Sequence, residues 1–176
     1  MEQPLSTAET STGDLDKLID SCIATRASRN EDWDTLAFQA KAGEEFRRAQ
    51  IRYIGSGATG NHEGDGATLP SEHFTFSNMR LPVGAVGPEH THHDVEEVFY
   101  VLEGTLEVTV HDADDGTKTA TRELGYRDLV RVPAGVPRSL RCSGDRDALF
   151  CVIIGAQKPQ LPTYPTTSPM HGVTRD

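Results

Sequence analysis

Two histidines and a glutamate lie close together in the middle of the chain, between Gly84 and Gly104. Side chains two residues apart on a strand point to the same face, so His90 and His92 are predicted to share one face. Glu97 follows five residues after His92, on the next predicted strand. Two imidazoles and a carboxylate that converge on one point bind divalent first-row metals and leave positions open for substrate or O₂. We therefore predict that His90, His92 and Glu97 bind one divalent transition metal ion.

These side chains must be positioned by β-strands, because from residue 46 the chain takes on the period-two pattern of strands. Short segments of this kind, separated by polar or glycine-containing turns, are typical of an all-β sandwich or barrel. We therefore expect one β domain over residues 46–156. The predicted strands are 46–54, 73–81, 96–102, 105–111, 119–124, 128–133, 138–142 and 148–154.

The two ends of the chain follow other patterns. Residues 1–45 are predicted to be an N-terminal tail and helix, and the polar first twelve of them are expected to be disordered. Residues 157–176 contain four prolines and should form an extended tail over the surface. The helix should fade near Arg29 and is too short to bury its apolar stripe alone, so it must pack on the β domain or on a second subunit. The stripe consists of Leu15, Leu18, Ile19, Cys22 and Ile23.

Charge and hydropathy exclude several classes of partner. The formal net charge is −10, and an acidic surface repels nucleic-acid phosphates. No apolar run reaches the roughly 20 residues that span a bilayer. The N-terminal segment lacks a basic region followed by an apolar region, so no secretory signal is predicted. We expect a cytoplasmic protein that binds neither nucleic acid nor membrane.

The spacing around the predicted ligands resembles the first motif of the cupin superfamily. That motif is a glycine, five residues, His-x-His, three or four residues, Glu, six residues and a glycine, and every fixed position is matched between Gly84 and Gly104. The resemblance covers roughly residues 70–156. It implies a jelly-roll-like β-barrel that holds a divalent metal near its mouth. Many cupins are dimers, so the resemblance also implies a homodimer.

The second cupin motif is matched only in part. Its Pro-x-Gly turn is present as Pro133-Ala-Gly135, but Arg127 stands at the leading glycine and Cys142 at the asparagine. Arg138 stands where the family has the histidine that is the fourth metal ligand. A guanidinium stays protonated and cannot bind a metal ion.

Three explanations of Arg138 remain open from the sequence. The metal can be held by the three predicted ligands alone, with Arg138 as a catalytic residue that orients a substrate carboxylate or enolate. Another residue can supply the fourth ligand, and His73 is the obvious donor. Alternatively the site has lost its metal, and Arg138 forms a buried ion pair with Glu97.

Two neighbours of the predicted ligands are less suitable. Glu96 also meets the motif's spacing from His92, but only Glu97 has six residues before Gly104. His93 points away from His92 on a regular strand, so a loop position or a supporting role is expected for it.

The resemblance implies a metal-dependent cupin enzyme that acts on a small organic anion. A dioxygenase with Fe(II) is our first choice, although Mn, Ni, Zn or Cu would also suit these ligands. The alternatives are a metal-assisted isomerase, cyclase or lyase, and a non-catalytic cupin binding module with a vestigial metal site.

Overall fold

The computed structural model describes residues 12–175, without the side chains of residues 12, 13 and 65. The predicted disorder of the first twelve residues lies almost entirely outside this range. The elements are α1 (Thr12–Ser21), β1 (Ala49–Ile54), β2 (Thr75–Leu81), β3 (Val86–His90), β4 (Glu97–Glu103), β5 (Leu106–His111), β6 (Thr119–Leu124), β7 (Leu129–Val132), β8 (Arg138–Cys142) and β9 (Ala148–Ile154). Short 3₁₀ turns lie at Arg26–Ser28, Ala37–Lys41, Glu44–Phe46, Gly57–Thr59 and Asp65–Ala67.

The strands form two antiparallel sheets, with the orders β1-β2-β9-β4-β7 and β3-β8-β5-β6. One cluster of buried apolar side chains takes members from both sheets, including Phe99 and Phe150 from the first and Leu106 and Leu140 from the second. The rings of Phe99 and Phe150 meet edge to face with centroids 5.8 Å apart. The predicted all-β, jelly-roll-like architecture is confirmed.

Strand β4 shows the period-two pattern that the sequence predicts. Glu97, Phe99 and Val101 are buried, whereas Val98 and Tyr100 are only partly buried. Glu97 therefore points into the space between the sheets, together with the core. A carboxylate in this setting needs a compensating partner, because burial of an unpaired charge is unfavourable.

The N-terminal helix differs from its prediction. It ends at Ser21 and not near Arg29, and Thr25 has extended backbone angles (φ −87°, ψ 153°). The Ser21 hydroxyl donates to the Leu18 carbonyl, a local bond that competes with continued helix formation. The apolar stripe does not pack on the β domain within one chain, since it is about half exposed; Leu15, Leu18, Ile19 and Ile23 are 47%, 51%, 56% and 53% exposed.

Two segments outside the barrel strands pack against it. Asp32 forms a β-bridge with Gln50, which joins the segment before β1 to that strand. Thr163 of the C-terminal tail forms a bridge with Thr91, and the two residues exchange both backbone hydrogen bonds. The tail therefore contacts the barrel at Thr91, and its residues 166–172 form turns where the sequence predicts an extended segment. Among residues 12–175, no helix has the length and apolar character needed to cross a membrane.

Candidate metal centre

The three predicted ligands come together at one end of the barrel. His90 is the last residue of β3, Glu97 is the first of β4, and His92 lies in the connection between them. Their donor atoms lie within 4.8 Å of one another. The Oε2 atom of Glu97 is 3.8 Å from the Nε2 atoms of both His90 and His92. The folded chain thus brings together the three residues that the spacing of the first motif indicates as metal ligands.

Backbone contacts hold the His90 ring and the main chain of His92 in place. The Nδ1 atom of His90 lies 2.8 Å from the carbonyl oxygen of Pro88 and donates to it, so Nε2 is the ring nitrogen that faces Glu97. The carbonyl of His92 accepts a 2.7 Å hydrogen bond from the amide of Gly135. Gly135 has a φ of +82°, a conformation that favours glycine. The Pro133-Ala-Gly135 turn of the second motif therefore supports a ligand of the first.

The charge states of the donors suit a divalent cation. Burial lowers the pKa of His92 to about 4, so its imidazole is neutral near pH 7. Burial alone would raise the pKa of Glu97, but contact with His90 and the charge of Arg138 outweigh it and lower that pKa to about 2. Metal ligands must be deprotonated, and these two are.

The donor separation also fits a metal ion. Donors bonded to one ion at about 2.0 to 2.2 Å lie about 3 to 3.5 Å from each other. The measured 3.8 Å is only slightly longer. Two imidazoles and one carboxylate are a ligand set typical of iron and of other divalent first-row metals.

Arg138 is fully buried and forms with Glu97 the ion pair that the third alternative from the sequence predicts for a site without metal. Its NH2 and Nε atoms donate to Oε2 of Glu97 at 2.8 and 3.1 Å, and its NH1 atom donates to the carbonyl of Val136 at 3.2 Å. Arg138 is the β-sheet partner of His90, so it occupies the place where a fourth ligand would stand. Both contacts with Glu97 go to Oε2, which is also the oxygen that lies 3.8 Å from both histidines, and an ionised carboxylate oxygen has more than one lone pair to share.

The other candidate residues from the sequence lie elsewhere. His73 is exposed and precedes β2, so it does not supply a fourth ligand in this structure. The Nε2 atom of His93 bonds the Thr163 hydroxyl at 2.7 Å, and exposed Glu96 pairs with Arg131. Among the described residues, the metal-binding group contains only the three predicted ligands.

A cavity of about 70 Å³ lies beside the two histidines and Glu97. One water needs roughly 10 to 15 Å³ by this measure, so the cavity holds a few waters or a small organic molecule. Much of its wall is apolar and includes Phe99, Phe150 and Ile154. Arg138 is absent from the described residues that line it, so its predicted contact with substrate stays a prediction.

Several polar groups of the cavity wall are not indicated by the sequence pattern. Arg48 and Gln39 come from the segment before β1, and Tyr164 comes from the C-terminal tail. Phe46, Arg48 and Gln50 share a parity on the predicted strand 46–54 and are buried, but Ala49 and Ile51 of the opposite parity are buried too, so parity does not single out Arg48. Nothing in the sequence pattern indicates that Gln39 or Tyr164 would meet them.

Comparison with known proteins agrees with the fold. Residues 77–154 match the family described as Cupin domain. A putative germin-like protein 2-3 of Oryza sativa subsp. japonica is 25% identical over 162 residues, which are 85% of this chain and 71% of that protein. A putative germin-like protein 9-2 of the same plant is 26% identical over 99 residues, 56% of this chain and 45% of that protein.

Solved structures show the same architecture at low identity. The capsular polysaccharide assembling protein CapF from Staphylococcus aureus matches with a TM-score of 0.52 and 15% identity, over 66% of this chain and 31% of that chain. A deletion mutant of Bacillus subtilis oxalate decarboxylase matches with a TM-score of 0.50 and 22% identity, over 67% of this chain and 27% of that chain. This chain thus spans under a third of either solved protein, and the likeness is one of fold.

Proposed function

We propose that the protein is a metal-dependent cupin enzyme that acts on a small organic anion, because residues 77–154 match the family described as Cupin domain. The observation that supports this most is the convergence of His90, His92 and Glu97 on the wall of one cavity. For the reaction class we propose a dioxygenase, because three protein ligands leave several coordination positions for substrate and O₂.

Each part of the site has a proposed task. A bound Fe(II) ion would supply Lewis acidity and oxygen chemistry. His90 and His92 would hold it through ring nitrogens, and Glu97 through a carboxylate oxygen. The apolar wall formed by residues such as Phe99 and Phe150 excludes water, which strengthens every electrostatic interaction inside the cavity.

We propose that Arg138 is a positioning residue for Glu97. It gives all three of its observed hydrogen bonds to Glu97 and Val136, so it could clamp a substrate only after breaking contacts inside a fully buried pair. Its charge keeps the carboxylate ionised and its fork fixes the position of Oε2. With arginine in this place the metal has one protein ligand fewer than in the usual cupin set, and one open position more.

Metal content tests the proposal most simply. Untagged protein would be stripped with a chelator, incubated in turn with Fe(II), Mn(II), Ni(II) and Zn(II), desalted and analysed for metals. Each ligand variant has a matched neighbour as control: Glu97→Gln beside Glu96→Gln, and His92→Ala beside His93→Ala. We expect about one metal per chain in the wild type and in both controls, and a loss in both ligand variants. Equal metal content in a ligand variant and its control would contradict the proposal.

Oxygen uptake separates the reaction classes. Metal-loaded protein would be assayed with phenols, enols and 2-oxo acids, under air and under nitrogen. Consumption of O₂ with substrate is expected for the dioxygenase. Turnover that is the same under nitrogen would identify the second candidate, a metal-assisted isomerase, cyclase or lyase. Binding of metal and ligands without any turnover would identify a binding module.

We also propose that the protein is a homodimer in which the exposed stripe of α1 is covered by the second copy. Leu18 and Ile19 are more than half exposed within one chain, which is unusual for neighbouring large apolar residues. Light scattering should give the mass of two chains for the wild type and for the polar-face control Lys17→Glu, and a lower mass for Leu18→Glu. A monomeric wild type would contradict this. The expected cytoplasmic location stays a prediction.

A further inference from the structure

Unsatisfied polar atoms gather around one cavity of this protein. Among the described residues, four buried side-chain nitrogen or oxygen atoms have no hydrogen-bond partner. Three of them, Gln39 Oε1, Arg48 NH1 and His92 Nδ1, belong to residues that line the cavity beside the candidate metal ligands. A buried polar atom without a partner is rare and unfavourable in a folded protein. Three around one cavity indicate that a polar ligand completes the site.

Arg48 is the charged member of this group. It directly precedes β1 and is only 8% exposed. Burial lowers the pKa of Arg48 to about 10, so its guanidinium is still protonated near pH 7. A buried cation with an N–H group that has no acceptor is best satisfied by an anion, and a guanidinium matches a carboxylate in shape and charge.

Gln39 and Tyr164 offer further hydrogen bonds in the same place. The Nε2 atom of Gln39 lies 3.2 Å from the Tyr164 hydroxyl, while its Oε1 atom has no partner. If the amide is turned round, Oε1 bonds the tyrosine and Nε2 is left instead. In either orientation one polar atom of Gln39 remains for a ligand. Gln39 precedes β1 and Tyr164 belongs to the tail, so the bond between them joins both segments over the cavity.

The contrast with Gln50 shows that burial in this wall does not by itself leave polar atoms unsatisfied. Gln50 is also buried and lines the same cavity. Its Nε2 atom donates to the Ser56 carbonyl at 3.1 Å, and its Oε1 atom accepts from Nε of Arg52 at 3.2 Å. The fold therefore satisfies one amide of the wall completely and leaves Arg48 and Gln39 with unused groups.

We propose that Arg48, together with Gln39 and Tyr164, binds the carboxylate of a small organic acid inside this cavity. Binding of the acid does not depend on the proposed enzyme function. Only the statement that this acid is a substrate rests on that function. The cavity volume of about 70 Å³ is several times the space that one water needs, so the cavity has room for a small organic acid. The anion and the candidate metal ligands would then share one water-poor space.

The test measures carboxylate binding to metal-free protein, so that it does not depend on metal binding or on turnover. Chelator-treated full-length protein would be titrated with acetate and glycolate, with acetamide as the neutral analogue of acetate and benzoate as an oversized acid. Arg48→Met removes the positive charge, and Arg48→Lys keeps the charge but lacks the planar guanidinium. The matched control is Arg122→Met, which removes a charge from an exposed arginine on β6. Circular dichroism confirms that each variant is folded.

We expect acetate and glycolate to bind the wild type and the Arg122→Met variant alike, and acetamide and benzoate to bind at least tenfold more weakly. Arg48→Met should weaken carboxylate binding at least tenfold, and Arg48→Lys by a smaller factor. If Arg48→Met does not fold, a loss in Arg48→Lys relative to Arg122→Met still supports the site. Carboxylate binding that is unchanged in the Arg48 variants would overturn the proposal. Binding that occurs only after metal is added, with equal affinity in all variants, would also overturn it. Failure of this test with retained metal binding leaves the proposed function standing.

Discussion

Two arginines are buried in this barrel, and they differ in what they contact. Arg138 is fully buried, and each of its nitrogens donates a hydrogen bond, two to Glu97 and one to Val136. Arg48 is nearly as buried, yet its NH1 atom has no partner. Arg138 is absent from the described lining of the cavity, whereas Arg48 is part of it. A satisfied guanidinium is suited to hold another side chain, and an unsatisfied one is suited to bind a ligand.

The largest expected difference concerns stability. Arg138→Met leaves the Glu97 carboxylate buried without its counter-charge, so we expect the free energy of unfolding of metal-free protein to fall by about 3 to 5 kcal/mol. Arg48→Met removes a cation whose NH1 atom is unpaired, and we expect a change of less than about 1 kcal/mol. Equilibrium urea unfolding of both variants measures the contrast. Similar losses would show that the two arginines do not differ in the way described.

The second prediction concerns metal affinity. Arg138→His removes a cation from beside the metal ligands and restores the residue type that the family has there. We expect at least tenfold tighter binding of Zn(II) or Fe(II), because a charge is lost and a fourth donor is gained. We also expect turnover to fall, since the new donor closes an open position. Competition with a chelator gives the affinity. Unchanged affinity would contradict the placement of Arg138 beside the metal.

The third prediction links the Arg48 site to stability. A ligand that binds only the folded state stabilises it by about 1.4 kcal/mol at ten times its dissociation constant. Acetate at that concentration should therefore stabilise the wild type and the Arg138→Met variant, provided the latter is folded, and should not stabilise Arg48→Met. Urea unfolding with and without acetate, at constant ionic strength, makes the measurement. Equal stabilisation of wild type and Arg48→Met would assign the effect to a site elsewhere.

The smallest expected effect belongs to a third arginine, which has neither role. Arg127 has a φ of +69°, the one non-glycine residue with positive φ in the described part of the chain. It stands where the second cupin motif has a glycine, and a left-handed conformation costs an L-residue roughly 1 to 2 kcal/mol. Glycine loses more entropy on folding, so Arg127→Gly should stabilise by only about 0.5 to 1 kcal/mol. Thermal unfolding of the wild type and of Arg127→Gly measures this gain in stability. The affinities for metal and for acetate should be the same in both proteins.

The two regions also differ in how far the sequence predicts them. His90, His92 and Glu97 lie within eight residues, and strand periodicity together with motif spacing is enough to place them on one face. The strands of the second motif and β9 are predicted within a residue for the same local reason. His92 itself lies beyond the end of β3, so the regular strand assumed for it does not extend that far.

The Arg48 site could not be predicted in the same way. Gln39, Arg48 and Tyr164 are separated by up to 125 positions, and no period or motif links them. They meet because the segment before β1 and the tail pack against the barrel, which depends on long-range contacts. The sequence leaves the pairing of Arg138 with Glu97 as one of three alternatives, and only the geometry of the folded chain distinguishes it from a free guanidinium.

A crystal structure of the protein soaked with Mn(II) and acetate would locate both the metal, by anomalous scattering, and the bound carboxylate. We predict a single anomalous peak bonded to His90, His92 and Glu97, with Arg138 still paired to Glu97 and the acetate carboxylate on Arg48. A peak away from these three ligands, or an acetate held by Arg138 with Arg48 unoccupied, would contradict the central claim.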